Sequence, residues 1–291
     1  SERYRSAMQK LQQQQQQQQQ QAARAAICPT FPFTAAAARA AQSAWARHLG
    51  RAEEWTNKLG MKFRVIPAGT FPMGSPEGKG NDNERPQHSV TITKAFGLGV
   101  HTVTQGQWRK LMGSTPWSGR SYVKEGPEIA ATYVSWDDGV SFCQKLSSSE
   151  GVRYRLPTEA EWEWSCRAGT TTEYSFGDDQ GQLGRYAWFE DNADYKNEKY
   201  AHAVGQKPAN PFGLYDVHGN VWDWCQDWWD KKYYGKSAEA DPAGPASGSS
   251  RVVRGGSWDY ESANLRSAYL GYGTPDDRYY DVGLRVLCEL E

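Results

Sequence analysis

The sequence has no cysteine between Cys225 and Cys288, and its five cysteines are widely spaced, without a CxxC pair. A zinc ribbon and a thioredoxin-like redox site both need such pairs, so the spacing argues against them. The five histidines are equally scattered, with no HxH or HxxxH pattern, which argues against a histidine-based zinc or iron site. An odd number of dispersed cysteines is typical of free buried thiols in a reducing compartment.

Long apolar runs and an excess of one charge are also missing. No stretch approaches the roughly 20 apolar residues that cross a membrane, and no secretory signal is visible in the first residues. The net charge of −1 gives no general attraction to nucleic acid or to anionic lipid. We therefore expect a cytoplasmic protein that binds neither nucleic acid nor a membrane.

Aromatic residues and glycine are abundant instead. The chain holds 13 Trp, 16 Tyr and 29 Gly, while aliphatic residues are sparse. Such a composition predicts a core of aromatic rings whose polar tips need hydrogen-bond partners. It favours many short elements joined by loops over long helices rich in Leu and Ile.

The first 58 residues differ from the rest of the chain. Residues 1–26 are a Gln/Ala-rich tract of low complexity, and residues 35–49 have the composition of a helix with Trp45 and Leu49 on one face. The segment carries eight basic and three acidic residues, a net charge of +5. We expect residues 1–58 to form a helical or low-complexity arm, which serves either as a linker or as an oligomerisation and docking element, and residues 59–291 to form one domain.

Local patterns predict several elements of that domain. Residues 62–66 and 89–93 alternate like strands. Three segments are predicted to be helical because each begins with a residue that commonly caps helices. They are 104–112 with Thr104 as the N-cap, 135–146 with Ser135, and 158–168 with Thr158. Asp138 and Glu161 each lie three residues after their cap, the spacing of a capping box.

Six separate motifs in the domain resemble the formylglycine-generating-enzyme (sulfatase-modifying factor) family, in the same order. The resemblance covers about residues 60–291 and implies an α+β protein with the C-type-lectin-like fold of the formylglycine-generating-enzyme type. The motifs are IPAGTFPMGS at 66–75, ERPQHSV at 84–90, VSWDD at 134–138, RLPTEAEWE at 155–163, NPFGLYDVHGNVWDW at 210–224 and RGGSW at 254–258. RGGSW opens the final segment of the family, and GLRV at 283–286 ends it.

The family's catalytic centre is what this chain does not share. In catalytic members, two cysteines shortly after the GGSW-like motif bind copper and carry out the oxidation. Here the interval offers Tyr260 and Leu265. We therefore expect no copper and no enzyme activity; the alternative is a formylglycine-generating-type oxidase with a different site.

The resemblance also implies a calcium site at 216–223. Carried over, its ligands are Asp216, the carbonyls of Gly219 and Val221, and Asp223. Calcium binds six to eight hard oxygens, and Gly219-Asn220 supplies a turn tight enough to bring carbonyls together. Asp223 is shorter than the Glu usual in the family. The alternative is a metal-free turn held by hydrogen bonds of Asn220 and Asp216.

Two further groups of residues admit both a structural and a functional interpretation. Cys166 has no His or Asp partner in its motif, which favours a core thiol over a nucleophile. The tryptophans of the segments 162–164, 222–224 and 228–229 favour a core cluster over a sugar-stacking platform.

The C-terminal block 257–286 is the candidate binding surface. Its framework residues match the family, but the positions between them hold the Tyr, Ser, Gly and Asp typical of antibody-like paratopes. This pattern resembles the variable proteins of diversity-generating retroelements, whose mutagenised positions exclude Lys, Glu, Gln, Met and Trp. The predicted variable, ligand-binding positions are Asp259, Tyr260, Ser262, Tyr269, Gly271, Tyr272, Gly273, Asp277, Tyr279, Tyr280 and Asp281.

The sequence therefore predicts a non-enzymatic, receptor-like protein that recognises protein targets through this block. The tyrosines would supply contact area, and Asp259, Asp277 and Asp281 would favour a basic or amide-rich target. A fixed-partner regulatory or adaptor module, which associates through the N-terminal helices, is the remaining alternative.

Overall fold

The computed structural model describes residues 27–290 together with residues 5, 8–10 and 12–14. Most of the predicted Gln-rich tract lies outside these residues. Within residues 28–290 the α-helices are α1 (Ala35–His48), α2 (Gln105–Met112), α3 (Trp136–Glu150), α4 (Glu159–Arg167) and α5 (Leu183–Tyr186). No helix in the described ranges is long and apolar enough to cross a membrane.

Eleven short strands accompany these helices in the described ranges. They are β1 (Glu54–Thr56), β2 (Lys62–Ile66), β3 (Gly69–Met73), β4 (His88–Ile92), β5 (Phe96–Gly99), β6 (Tyr154–Arg155), β7 (Trp222–Trp228), β8 (Arg251–Arg254), β9 (Leu270–Gly273), β10 (Val282–Gly283) and β11 (Leu287–Glu289). The predicted strands at 62–66 and 89–93 are β2 and β4, so both predictions are confirmed within one residue.

The three predicted capped helices are also confirmed. The Thr104 side chain accepts from the Gln107 N–H, and Ser135 and Thr158 accept in the same way from Asp138 and Glu161. In each case the third residue bonds back to the backbone of the cap, which completes a capping box. Helix α3 continues four residues beyond its predicted end, until Gly151 adopts a left-handed conformation that terminates it.

The strands form three sheets. A five-stranded sheet has the order β1-β2-β5-β11-β6, a hairpin pairs β3 with β4, and a four-stranded sheet has the order β10-β7-β8-β9. In the four-stranded sheet β10 runs parallel to β7, whereas β7, β8 and β9 are antiparallel. The C-terminal block supplies β9 and β10, and therefore closes this sheet from both edges.

The predicted helix at 35–49 forms, and it packs on the domain. Trp45 is fully buried in a cluster with Val65 and Ala95. The Gln42 side-chain amide donates to the carbonyls of Val65 and Phe212, at 2.8 and 3.0 Å. Strand β1 also pairs with β2. From residue 35 onward, the segment assigned to an arm thus shares the packing and the sheet of the domain.

Tryptophans fill much of the core, as the composition predicts. Trp162, Trp164 and Trp224 are buried, and each indole N–H has an acceptor. Trp164 donates to the Pro67 carbonyl at 2.8 Å and Trp224 to the Val134 carbonyl at 3.0 Å. The indoles therefore satisfy their polar atoms while they join separate segments of the chain.

Four arginines, Arg254 just before the C-terminal block and three within it, pair with carboxylates in four other family motifs. The pairs are Arg254 with Glu163, Arg266 with Glu84, Arg278 with Asp138, and Arg285 with Asp223. Both partners are buried in the first and fourth pairs, Arg266 of the second pair is partly exposed, and the Arg278 side chain is about half exposed. Because each carboxylate belongs to a different motif, these framing arginines connect the block to the rest of the domain.

The Arg254 pair also holds backbone of the block. Arg254 Nη1 donates to the carbonyls of Ser267 and Tyr269, at 2.9 and 2.8 Å. Its partner Glu163 accepts from Arg167 Nε at 2.8 Å and from the Gly74 N–H at 2.9 Å. Burial favours the neutral acid, but the two arginines prevail and lower the pKa of Glu163. The Glu163 carboxylate is thus an anion that binds two arginines. It holds the loop at Gly74 directly and the loop at 267–269 through Arg254.

Replacing Glu163 by Gln is expected to destabilise the fold strongly. The variant leaves Arg167 and Arg254 buried without their shared anion, which costs about 3–5 kcal/mol of the free energy of unfolding. Urea denaturation measures the loss. Arg278→Ala is the matched control: it removes a half-exposed pair of the same block, and is expected to cost about 1 kcal/mol or less. Equal losses in the two variants would contradict this assignment.

Candidate functional site

One face of the four-stranded sheet forms the floor of a concavity. Trp222 and Trp224 lie two residues apart on β7 and therefore point to the same side. Trp224 is opposite Val253 of β8, and Val253 is opposite Gly271 of β9. The floor thus carries large rings on β7 and no side chain at Gly271 of β9. The concavity is therefore deeper above β9 than above β7.

The C-terminal block surrounds this floor. Seven of the eleven predicted variable residues line one pocket of about 330 Å³, which we call the tyrosine pocket. They approach it from the loop before β9, from β9 itself and from the loop before β10. The seven are Tyr260, Tyr269, Gly271, Tyr272, Gly273, Tyr279 and Asp281.

Aromatic contacts fix the walls of the tyrosine pocket. The Tyr260 ring meets Trp222 edge to face, with ring centroids 5.2 Å apart, and the Tyr269 centroid lies 5.9 Å from the same indole. Tyr272 stacks on Trp229 at 3.9 Å, although more than half of its side chain is exposed. The tyrosines are therefore supported from behind and offer their remaining surface to solvent or to a ligand.

The other four predicted residues lie at the rim of the tyrosine pocket or beside it. The Tyr280 hydroxyl donates to Asp259 at 2.6 Å, and the Tyr279 hydroxyl donates to Asp277 at 2.7 Å. Ser262 accepts a hydrogen bond from Gln180. Three of these four residues thus hold or extend the pocket's edges, whereas Ser262 faces a neighbouring loop.

The two glycines of β9 keep the tyrosine pocket open. A Cβ placed on Gly273 would lie 2.9 Å from the Trp224 ring and 3.0 Å from the Tyr279 ring. One on Gly271 would lie 3.0 Å from a Val253 methyl group. A larger side chain at 273 must therefore displace an aromatic ring, whereas one at 271 projects above the floor after a smaller adjustment.

The tyrosine pocket contains one buried acid. Asp281 is 6% exposed, and the described hydrogen-bond donor to its carboxylate is Ser257 Oγ, at 3.3 Å. Burial raises the pKa of Asp281 to about 7, and the nearby Asp259 adds to the shift. Burial and the same two carboxylates raise the pKa of Tyr260 to about 12, so that its hydroxyl remains protonated.

The residues predicted to bind calcium form a tight turn but do not present a free carboxylate pair. Gly219 and Asn220 both have left-handed backbones, as the predicted turn requires. Asp216 accepts from the Gly205 N–H at 2.8 Å. Asp223 accepts from Thr102, at 3.2 Å, and from the Trp162 indole and Arg285, each at 3.1 Å.

Asp223 therefore does not fit as a calcium ligand, because Arg285 already neutralises it. The Val221 carbonyl belongs to the same turn. The described residues contain no group of three His, Cys, Asp or Glu side chains that could hold a metal ion. The Asn220 side chain instead bonds to both the N–H and the carbonyl of His202, at 2.8 and 3.3 Å. These contacts match the metal-free alternative, and calcium binding itself stays an untested prediction.

Cys166 is buried, as its motif suggests. Its thiol donates to the Val217 carbonyl at 3.6 Å and lies 3.9 Å from His218 Nε2. Burial raises the pKa of the Cys166 thiol to about 12 and lowers that of His218 to about 4, so both groups are neutral. His218 Nδ1 bonds to the Leu265 carbonyl at 2.7 Å. The pair thus supports the block instead of forming a nucleophile.

Three residues near the block were missed by the sequence interpretation. Asn81 and Asn83 line the tyrosine pocket from the loop before β4. Tyr122 is about half exposed and its ring centroid lies 5.0 Å from that of Tyr280. All three are distant from the block in sequence, and only the left-handed backbone of Tyr122 marks its position as unusual. Their motifs carry no signal that sequence reasoning could have used.

A larger groove of about 940 Å³ lies between residues 28–31 and the β3-β4 hairpin. It is wide and shallow, and it contains none of the predicted binding residues. The tyrosine pocket is smaller, but it gathers aromatic faces and a buried acid at the end of a rigid sheet. Convergent polar and aromatic groups are the better indication of a binding site than volume alone.

Replacing Asp281 by Asn is expected to make stability less dependent on pH. Between about pH 4, near the pKa of Asp in an unfolded chain, and about pH 7, folded Asp281 keeps a proton that the unfolded chain has released. Its contribution to the free energy of unfolding therefore falls as the pH rises through this window, by at most about 1.4 kcal/mol per unit. Urea denaturation at a series of pH values should show a growing advantage of the variant. Asp276→Asn, in an exposed position, is the control, and parallel curves for wild type and Asp281→Asn would refute the assignment.

Removing calcium is expected to leave the unfolding temperature unchanged, because the Asp223 carboxylate is occupied by Arg285. Thermal unfolding with a chelator, and again with excess calcium, measures this. An increase of several degrees with calcium, lost in Asp216→Ala, would show that the turn rearranges to bind the ion.

Known proteins resemble this chain in sequence and in structure. A formylglycine-generating enzyme of Streptomyces coelicolor is 29% identical over 279 residues, which span 76% of this chain and 87% of that protein. Treponema denticola variable protein 1, a variable protein of a diversity-generating retroelement, superposes with a TM-score of 0.73 at 28% identity, over 82% of this chain and 99% of that one. PvdO from Pseudomonas aeruginosa gives the same TM-score and identity, over 81% and 97%.

These likenesses confirm the predicted C-type-lectin-like fold of the formylglycine-generating-enzyme type. The family model of the sulfatase-modifying factor enzyme 1-like domain matches residues 48–290. The chain therefore belongs to the family of sulfatase-modifying factor enzyme 1-like domains.

Proposed function

We propose that this protein is a non-enzymatic binding protein that recognises protein targets through the tyrosine pocket and its rim. The observation that carries the proposal is the convergence of seven predicted variable residues, separated by up to 21 positions in sequence, on one concavity. These residues reach the pocket from two loops and one strand of the block. The similarity to a retroelement variable protein supports the same use of the C-terminal block.

The chemistry of the tyrosine pocket suits recognition of a protein. Tyrosine offers a large contact area with few rotatable bonds, so little entropy is lost when it is covered. Tyr260 and Tyr272 are among the exposed large hydrophobic side chains, and both are supported by tryptophans of β7 or of the following loop. Anchored but exposed aromatic rings are typical of interface hot spots.

The scaffold is suited to tolerate changes in these residues. The framing arginines bind carboxylates outside the block, and none of those pairs involves a predicted variable side chain. Strand β9 is held by backbone hydrogen bonds to β8, which do not depend on the identity of the side chains. The surface residues can therefore differ while the backbone keeps its position.

The block lacks the cysteines on which the family's oxidation chemistry depends. Tyr260 lines the tyrosine pocket and Leu265 is fully buried, in the interval where the catalytic pair would be expected. Sequence identity to a formylglycine-generating enzyme still favours an oxidase as the second candidate. Copper(I) titration and oxygen uptake with a cysteine-containing sulfatase peptide distinguish the two, since we expect neither copper binding nor turnover.

Sequencing the encoding locus in a population of source cells tests diversification directly. We expect differences confined to the eleven predicted codons, with Trp258 and Glu261 unchanged, and a nearby near-copy of the block with Asn codons. An invariant block without a copy would exclude diversification, and would leave a fixed-partner module as the better description.

Tyr260→Ala is expected to weaken binding to a protein target selected from a displayed protein library. The variant removes a wall of the tyrosine pocket without touching the framing arginines, and the loss should reach tenfold or more, the range of about 2 kcal/mol found for hot-spot residues. Biolayer interferometry measures it. Tyr195→Ala is the matched control, since Tyr195 is exposed and lies outside the block. If affinity survives in Tyr260→Ala and also in Tyr280→Ala, the target binds elsewhere.

A further inference from the structure

Asp281 has no counter-charge in the described part of the chain. The other acids that the C-terminal block contacts, Glu84, Glu163 and Asp223, are each paired with one of the framing arginines. Asp281 is buried to a similar degree, yet no described Lys, Arg or His lies within 4.0 Å of it. A buried carboxylate without a cation is costly, and proteins normally compensate it.

The neighbours of Asp281 do not supply that compensation. Ser257 donates at a long 3.3 Å and also binds Asp259, at 2.6 Å. Asp259 adds a second negative charge close by. Arg266 lies with its guanidinium 5.6 Å from the Tyr269 ring centre, but both of its terminal nitrogens bind Glu84. Without a cation the acid keeps its proton up to about pH 7, and a positively charged ligand would take the place of that proton.

Aromatic rings surround the same space. Trp222, Tyr260, Tyr269 and Tyr279 line the tyrosine pocket together with Asp281. The face of an aromatic ring attracts a cation because its π electrons are negative, and the attraction grows when the cation is shielded from water. Four such rings and one unpaired acid make this space favourable for a positive charge.

We infer that the tyrosine pocket binds an alkylammonium cation, of the kind that a lysine side chain or its N-methylated form carries on a protein target. The inference rests on the proposed function, since it assigns the chemical group that the target would insert. Asp281 would then be the counter-ion of the bound ammonium group. The rings of Trp222 and Tyr260 would contact the ligand's carbons that are bonded to the nitrogen or next to them.

Geometry favours an ammonium over a guanidinium. Bidentate recognition of arginine requires both oxygens of a carboxylate in one plane, directed outward. One Asp281 oxygen lies 3.3 Å from Ser257 Oγ, and the Asp259 oxygens accept from Ser257 and Tyr280. What remains is a point of negative potential, which matches a compact ammonium. The volume of about 330 Å³ also suits a single side chain instead of a long segment.

Three small probes test the inference on the full chain: Nα-acetyl-lysine amide, its Nε-trimethyl form and its Nε-acetyl form. The first two carry the charge, and the third has a similar length without it. Isothermal titration calorimetry, checked by the fluorescence of the pocket tryptophans, measures binding at pH 8. We expect both cations to bind at least tenfold more tightly than the acetylated probe. A preference between the two cations identifies the methylated or the unmodified lysine as the source.

Variants assign the effect to the tyrosine pocket. Asp281→Asn is expected to reduce binding of the cations at least tenfold and to leave the acetylated probe unaffected. Asp276→Asn removes the same charge from an exposed position of the block, and should bind as the wild type does. Tyr269→Leu removes one ring while keeping a side chain of apolar character, and should weaken the trimethylated probe most.

The outcomes separate this inference from the proposed function. Equal binding of charged and acetylated probes, no binding of any probe, or unchanged cation affinity in Asp281→Asn would each overturn the cation site. The proposed function would still stand in those cases if Tyr260→Ala lost its protein target. Conversely, the chain could bind the cations while its block proves invariant in the population. The cation site would then stand, and the diversified receptor would be excluded.

Discussion

Buried pairing of arginine with carboxylate is the constraint on which the rest of this structure depends. The framing arginines come from the last part of the chain, and their partners are distributed over the motifs that precede it. A guanidinium holds a carboxylate in a defined plane, so each pair fixes orientation as well as proximity. The helices and strands are short, so the ion pairs fix the positions of segments that long helices or strands would fix in other proteins.

The separation between framework and surface follows from this arrangement. Arg254 binds Glu163 and two backbone carbonyls on one face of the sheet. Tyr260 and Tyr269 contact Trp222, which lies on the other face. The pairs of the framework therefore lie apart from the side chains in front of β7 and β9, which are mainly aromatic in this chain.

Local elements of the fold were predictable because local physics determines them. The capping boxes at Ser135 and Thr158 specify where helices begin, and alternation identifies β2 and β4. The C-terminal block was identified from its residue types. By contrast, the contribution of Asn81 and the dual role of Trp222, buried and yet part of the pocket floor, depend on tertiary contacts that no short pattern encodes. The pairing of Asp223 with Arg285 is equally invisible in its motif, because the two residues lie 62 positions apart in sequence.

Gly273 has a consequence for the shapes that this fold can present. Because Gly273 has no side chain, the space between the rings of Trp224 and Tyr279 stays unfilled. A bulky residue there would push the Tyr279 ring outward and turn a cavity into a protrusion. A single codon thus decides whether the surface is complementary to a convex partner or to a cleft, so closely related copies of one scaffold can differ in topography and not merely in the chemistry of their contacts.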